Sequence, residues 1–118
     1  MAPAAEFYDA VMSALDYPSV NRSSTSLGYG IRNDSTDDSH TYISIIATGR
    51  EIVPDRRHWC FRAADRERVD AFYAAGLAHG GTDDGPPGVR EHYHVHYYAA
   101  FLIDPDGNRI EAVTHRET

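Results

Sequence analysis

Lysine is absent from this 118-residue chain: its cationic side chains are 11 arginines, set against 18 Asp and Glu. Without a lysine amine, no side chain can form a Schiff base with a carbonyl substrate or with pyridoxal phosphate, which removes one large class of enzymes. A net charge of −7 argues against nucleic acid or an anionic membrane as partner, since these call for a basic face. Cysteine occurs once, at Cys60, so no internal disulfide is available. Its place in the strand-like run HWCFRA (His58–Ala63) suits a small core residue. No apolar run reaches the length of a membrane span, and Met1–Leu15 carries acidic residues where a secretory leader would be basic. A cytoplasmic location is the expectation.

What is present suffices for one small folded domain. The apolar share is 42%, with four Phe, eight Tyr and one Trp, too rich for a disordered chain and too short for a second core. The phrase FYDAVMSALDY at Phe7–Tyr17 returns, loosened, as FYAAGLAHGG at Phe72–Gly81, 65 residues on; Phe7/Phe72, Tyr8/Tyr73, Ala10/Ala75 and Met12/Leu77 match at that offset. A self-match in so short a chain points to one supersecondary unit used twice.

Hydrophobic spacing predicts a helix from Pro3 through Phe7, Val11, Met12 and Leu15, stopped at Tyr17-Pro18. Strands are predicted at SVNRSST, SLGYGIR and TYISIIAT, the last as an inner strand because it is β-branched and mostly apolar. NDSTDDS (Asn33–Ser39) reads as a polar turn and GREIVPDRR (49–57) as a connecting loop. HWCFRA opens the second half as a strand. Asp65 then caps a helix with the stripe Val69, Phe72, Tyr73, Gly76 and Leu77, ended by Gly80-Gly81. TDDGPPGVREHYHVH reads as a long loop that could open with a short strand, and YYAAFLI and RIEAVTH flank the turn Asp104-Pro105-Asp106-Gly107. The order is α-β-β-β, then β-α-β-β-β. The second unit thus opens with a strand whose counterpart, at the same offset, falls before Met1.

Alternation places His58, Cys60 and Arg62 on one face of their strand and Trp59, Phe61 and Ala63 on the other. In the last strand Arg109, Glu111, Val113 and His115 point one way, while Ile110 and Ala112 point to a helix. Imidazole and carboxylate together suit Zn, Ni, Fe or Mn, but two ligands fall short of the three protein ligands usual in catalytic sites. His92, His94 and His96 alternate and would share one face if extended; they could bind metal or border a substrate cavity. Either Tyr97 and Phe101 or Tyr98 and Ala100 would line that cavity, depending on register.

HWCFRA, the AFYAAGLAHGG helix, GPPGVREHYH and DPDGNRIEAV, together with FYDAVMSALDYP and LGYG, resemble the glyoxalase/bleomycin-resistance/extradiol dioxygenase group, the vicinal oxygen chelate superfamily. The resemblance spans nearly the whole chain. It implies an α+β fold of two βαβββ modules forming a cupped mixed sheet, module one at about 1–49 and module two at about 57–115, the first lacking its leading strand. It implies a divalent metal held by His58 and Glu111. The group's remaining His has no position here, and TYISII offers no additional Glu. Upstream residues or a strand lent by a partner subunit would complete the sheet; a two-ligand remnant with another role is the third alternative.

The resemblance further implies a lyase, isomerase or dioxygenase acting on a small oxygen-chelating substrate, in a homodimer. His94, His96 and Tyr98 would move protons, and His92, Tyr97, Phe101 and Arg62 would contact substrate. The alternatives are a metal-free protein that sequesters an aromatic or cationic molecule, for which the many Tyr and the acidic balance speak, and an inactive module.

Overall fold

The computed structural model describes residues 2–31, 35–36, 42–48 and 58–117. The first unit is helix α1 (Ala2–Ala14) followed by β1 (Ser19–Arg22), β2 (Ser26–Gly30) and β3 (Tyr42–Ile46). The second is β4 (His58–Arg62), α2 (Arg66–Ala78), β5 (Thr82–Val89), β6 (Tyr98–Ile103) and β7 (Arg109–Thr114). The first three strands form an antiparallel sheet in the order β1-β2-β3. The last four form a mixed sheet in the order β4-β7-β6-β5, with β4 parallel to β7. This is the expected α+β architecture of two repeated modules. The loop read at 49–57 lies outside the described residues, as does most of the 33–39 turn.

Helix α1 buries the side chains its spacing predicted, Phe7, Val11 and Met12, together with Tyr8. It closes at Asp16, whose φ of 64° is a left-handed conformation that Asp tolerates, and the Tyr17 N–H returns to the Met12 carbonyl at 2.8 Å. Helix α2 starts at Asp65, whose carboxylate accepts the Arg68 N–H at 2.9 Å. At its other end Gly80 takes φ 96° and the Gly81 N–H bonds the Gly76 carbonyl at 2.8 Å. Val69, Phe72 and Gly76 are buried, whereas Leu77, part of the predicted stripe, is exposed.

The two helices pack on each other and share one core with the sheets: Phe7, Tyr8, Val11 and Met12 meet Leu27, Tyr29, Phe72, Leu102, Ile110 and Ala112. Phe7 lies so close to the end of α2 that a Cβ on Gly81 would sit 2.5 Å from its Cε1 and 2.8 Å from the Gly76 carbonyl oxygen. The repeated phrases are therefore packed face to face. A second tie is polar. Asp104, buried at the β6–β7 turn, accepts the Tyr8 hydroxyl, the Asn108 N–H and amide at 2.8 Å each, and the Asp106 N–H at 2.9 Å. Burial and the Asp104 carboxylate push the Tyr8 phenol far up, so it stays a donor.

Three local expectations are corrected. The segment read as a loop contains β5, eight residues long; Gly and Pro are accommodated because it is an edge strand whose pairing to β6 slips twice, around Gly85. β3 is not an inner strand: among the described residues it lies at the edge of its sheet. Trp59 does not pack under a helix. It shares the apolar face of β4, but that strand is also an edge, and the ring stands 65% exposed beside a groove of about 400 Å³. The groove lies between β4–β7 and β3, with all five β3 residues lining it.

Gly81→Ala is expected to lower stability by about 1–3 kcal/mol, the usual cost of forcing a methyl into a filled site. Urea denaturation reads it directly; an unchanged or higher midpoint would contradict the Phe7–Gly81 contact.

Candidate functional site

The parallel pairing of β4 with β7 sets His58 opposite Arg109, Cys60 opposite Glu111 and Arg62 opposite Val113; the antiparallel pairing of β6 sets Phe101 opposite Glu111 and Ile103 opposite Arg109. Partners across a ladder share a face, so one side of the sheet carries the rows His58–Arg109–Ile103, Cys60–Glu111–Phe101 and Arg62–Val113–Ala99. His58 and Glu111 are thus on the same side of adjacent strands, one register step apart diagonally. Register also decides between the two tyrosines. Tyr97 reaches the Glu111 side, while Tyr98 faces the helix and donates to Asp70 of α2 at 2.6 Å.

An open cleft of about 600 Å³ lies on this face, lined by His58, Asp84, Gly85, Arg90, Phe101 and Arg109. The His58 ring stands edge-on to Phe101, centroids 5.4 Å apart. Asp84 sits between two partners: its Oδ1 accepts from Arg109 Nη1 at 2.7 Å and its Oδ2 is 3.3 Å from His58 Nε2. An ionised carboxylate only accepts, so this contact requires the proton on His58 Nε2.

Glu111 is nearly buried, at 7% exposure, and accepts the Tyr97 hydroxyl at 2.5 Å. Burial, with the Glu111 carboxylate, raises the Tyr97 phenol well above its ordinary value. Cys60, expected in the core, is exposed because, among the described residues, β4 is an edge strand and no helix covers the face it shares with His58 and Arg62. Even so, desolvation of its sulfur and the adjacent Glu111 charge push the thiol up to about 11.

His92, His94 and His96 do not share a face. Two successive turns, closed by Tyr93 N–H to Arg90 O at 3.0 Å and Tyr97 N–H to His94 O at 3.2 Å, break the extended alternation. His92 lies tilted against Tyr93, ring centroids 4.2 Å apart, and His96 approaches Glu117 at 3.3 Å. His94 turns to His115, Nε2 to Nδ1 at 2.7 Å, with the Tyr97 ring edge-on to both. Because His94 Nδ1 accepts the His96 N–H at 3.0 Å, neutral His94 carries its proton on Nε2 and donates it to His115. Arg62 stands at the far end of the face, outside the cleft lining; its carbonyl accepts the Tyr17 hydroxyl at 2.8 Å.

The structure therefore brings together His58 and Phe101 in the cleft and sets Glu111, with Tyr97 bonded to it, next to Phe101; His94 lies with His115 past the other end of β7. It holds Tyr98, Arg62, His92 and His96 apart from the cleft. Sequence reasoning missed Asp84 and Arg90, which lie within the stretch read as a loop, and the pairing of His115 with His94. Arg109 and His115 did carry a signal, since alternation had already placed them with Glu111.

Among the described residues no three His, Cys, Asp or Glu converge as a metal-binding group. His58 Nε2 is turned to Asp84 and Glu111 Oε2 to Tyr97, so this pair alone does not fit a metal centre. The described helices include none long and apolar enough to cross a membrane.

No protein-family model matches the sequence, and no curated protein matches it. Solved structures do. A glyoxalase/bleomycin resistance protein from Albidiferax ferrireducens T118 is 30% identical, with a TM-score of 0.76 over 96% of this chain and 88% of that one. A glyoxalase-related enzyme from Fulvimarina pelagi shares 16% identity, with a TM-score of 0.68 over 96% of this chain and 78% of that one. A glyoxalase/bleomycin resistance protein/dioxygenase family enzyme from Burkholderia phytofirmans PsJN shares 21%, with a TM-score of 0.66 over 95% and 87%. The last two speak to the fold alone. The first, joined to the repeated module and the register of β4 on β7, makes this chain a member of the glyoxalase/bleomycin resistance protein family.

Proposed function

We propose that the sheet face carrying His58, Phe101 and Arg109 binds a small organic molecule, and that the protein acts by holding this ligand, in the manner of a metal-free resistance-type binder. The observation that carries the reading is the cleft of about 600 Å³ on that face, backed by Phe101 and bordered by His58, Arg90 and Arg109. Its size and its mix of one aromatic wall with a few polar groups suit a small ligand. Two chemical features support holding over reacting. A thiol pushed up to about 11 is protonated at neutral pH, so Cys60 is a poor nucleophile. A raised Tyr97 phenol that already donates to Glu111 is a poor general base.

A metal-dependent lyase, isomerase or dioxygenase is the second reading, favoured by one observation: His58 and Glu111 share a face on adjacent strands. The ion would be Zn, Ni, Fe or Mn. His94, with its partner His115, and Tyr97 are the groups on this side of the sheet that could relay a proton to a ligand. A cytoplasmic homodimer belongs to the same proposal. Ile46 and Trp59, 64% and 65% exposed at the edges of β3 and β4, are apolar surface that a second copy would cover.

Elemental analysis after equilibration with zinc, nickel, iron or manganese separates the readings. Substoichiometric metal, the same in the His58→Ala variant, is expected; one ion per chain that disappears with His58 would establish the metal enzyme instead. The Cys60 thiol provides a second check. Its alkylation by iodoacetamide is expected to stay slow through neutral pH and to rise only as pH approaches 11, because the thiolate is the reacting form. Glu111→Gln should move the rise to lower pH by removing the adjacent charge. Rapid alkylation at pH 7 would contradict the assigned environment.

A further inference from the structure

We infer that the cleft selects a planar organic anion, an aromatic or conjugated carboxylate, and that Arg90 is the residue that recognises it; this rests on the cleft being the ligand site. The overall charge of −7 suggests the opposite preference, for cations. Recognition, however, follows the charges that line the site, because exposed charges further away than about 10 Å are screened by salt. Among the described residues four titratable groups line the cleft: His58, Asp84, Arg90 and Arg109. The Asp84 carboxylate is engaged on both oxygens, by Arg109 at 2.7 Å and His58 at 3.3 Å, and offsets one positive charge.

Arg90 is left as the excess cation. Its Nη2 donates to the Pro86 carbonyl at 2.7 Å and its Cζ lies 5.3 Å from the Phe101 ring centroid. Among the described residues it has no carboxylate partner. Five N–H donors in a fixed fork, one of them tied to a carbonyl, leave donors for a carboxylate in bidentate geometry.

The strand beside it is built to hold that guanidinium. A Cβ on Gly88 would approach Arg90 Nη1 to 3.0 Å, and a Cβ on Gly85 would lie 3.3 Å from Nη2 and 3.0 Å from Phe101 Cδ2. Glycine at both positions makes the space, and the bond to Pro86 fixes the fork before any ligand arrives. Such preorganisation lowers the ordering cost of binding. Phe101, edge-on to His58, supplies an apolar wall for a flat ring. The ligand that matches is a ring with a carboxylate in its plane, the anion on Arg90 and the ring along Phe101.

The test is isothermal titration of the full chain at about 0.15 M ionic strength, where remote charges are screened, with three shape-matched probes: 2-naphthoate, 2-naphthamide and 2-naphthamidine. Naphthoate is expected to bind at least about tenfold tighter than either, the least that a charge-assisted hydrogen bond should yield. Arg90→Gln is expected to erase that preference without changing the melting temperature. Arg66→Gln, which alters a cation stacked on Tyr98 on the helix side, is expected to leave it intact. Equal binding of naphthoate and naphthamide, tighter binding of naphthamidine, or an unchanged preference in Arg90→Gln overturns the anion inference while leaving the cleft as a ligand site. Absence of binding by all three overturns both.

Discussion

Everything proposed for this protein depends on the register of β4 against β7. With Cys60 opposite Glu111, the imidazole of His58, the carboxylate of Glu111, the guanidinium of Arg109 and the ring of Phe101 fall on one face of the sheet. A slip of one residue would turn β4 over, putting Trp59 and Phe61 on that face and His58 into the core. What holds the register is the apolar alternation on the other side: Phe61, Ala112, Ala100, Leu102 and Ile110 are all buried against the helices. The start of β7 is set by the hairpin around Asp104, which Tyr8 of α1 clasps across the core. Removing acceptor or donor there would strand a buried polar group, so the first module locks the sheet of the second.

The site divides into two zones of different character. Around Glu111 the groups satisfy one another: Tyr97 donates to the carboxylate, Cys60 is kept protonated beside it, and the His94–His115 pair packs on the Tyr97 ring. Around Asp84 the cleft is open, with one acid between His58 and Arg109 and a second guanidinium in excess. A polar network that is complete rigidifies its surroundings, while an incompletely paired cation at an open cleft has binding capacity to offer. Chemistry is therefore better sought at the cleft than at the buried carboxylate.

Much of this was legible in the amino-acid order. The 65-residue echo of Phe7-Tyr8 in Phe72-Tyr73 announced a duplicated module, and Phe7 and Phe72 indeed share one core. Asp104-Pro105-Asp106-Gly107 specified its hairpin through turn chemistry, and strict alternation separated Glu111 from Ile110 and Ala112. What was not legible depends on neighbours in space. Only a short strand was anticipated where the eight-residue β5 lies, because Gly85, Pro86 and Pro87 weaken the local strand signal, yet a place beside β6 at the edge of the described sheet tolerates them. The three histidines of the EHYHVHYY segment alternate in sequence, but two backbone turns decide where they point. Cys60 and Trp59 looked like core residues in composition and are exposed because β4 is a sheet edge. Net charge averages over a whole surface, whereas a ligand in the cleft would meet His58, Asp84, Arg90 and Arg109.

The central claim, that one face of the second sheet is the working surface, is tested most directly by mapping amide chemical-shift changes during titration with 2-naphthoate. The account predicts that changes concentrate at His58, Gly85, Arg90, Phe101 and Arg109 and spare Asp70 and the outer side of α2. Changes centred on the groove between β3 and β4, or on the helices, with the cleft silent, would contradict it.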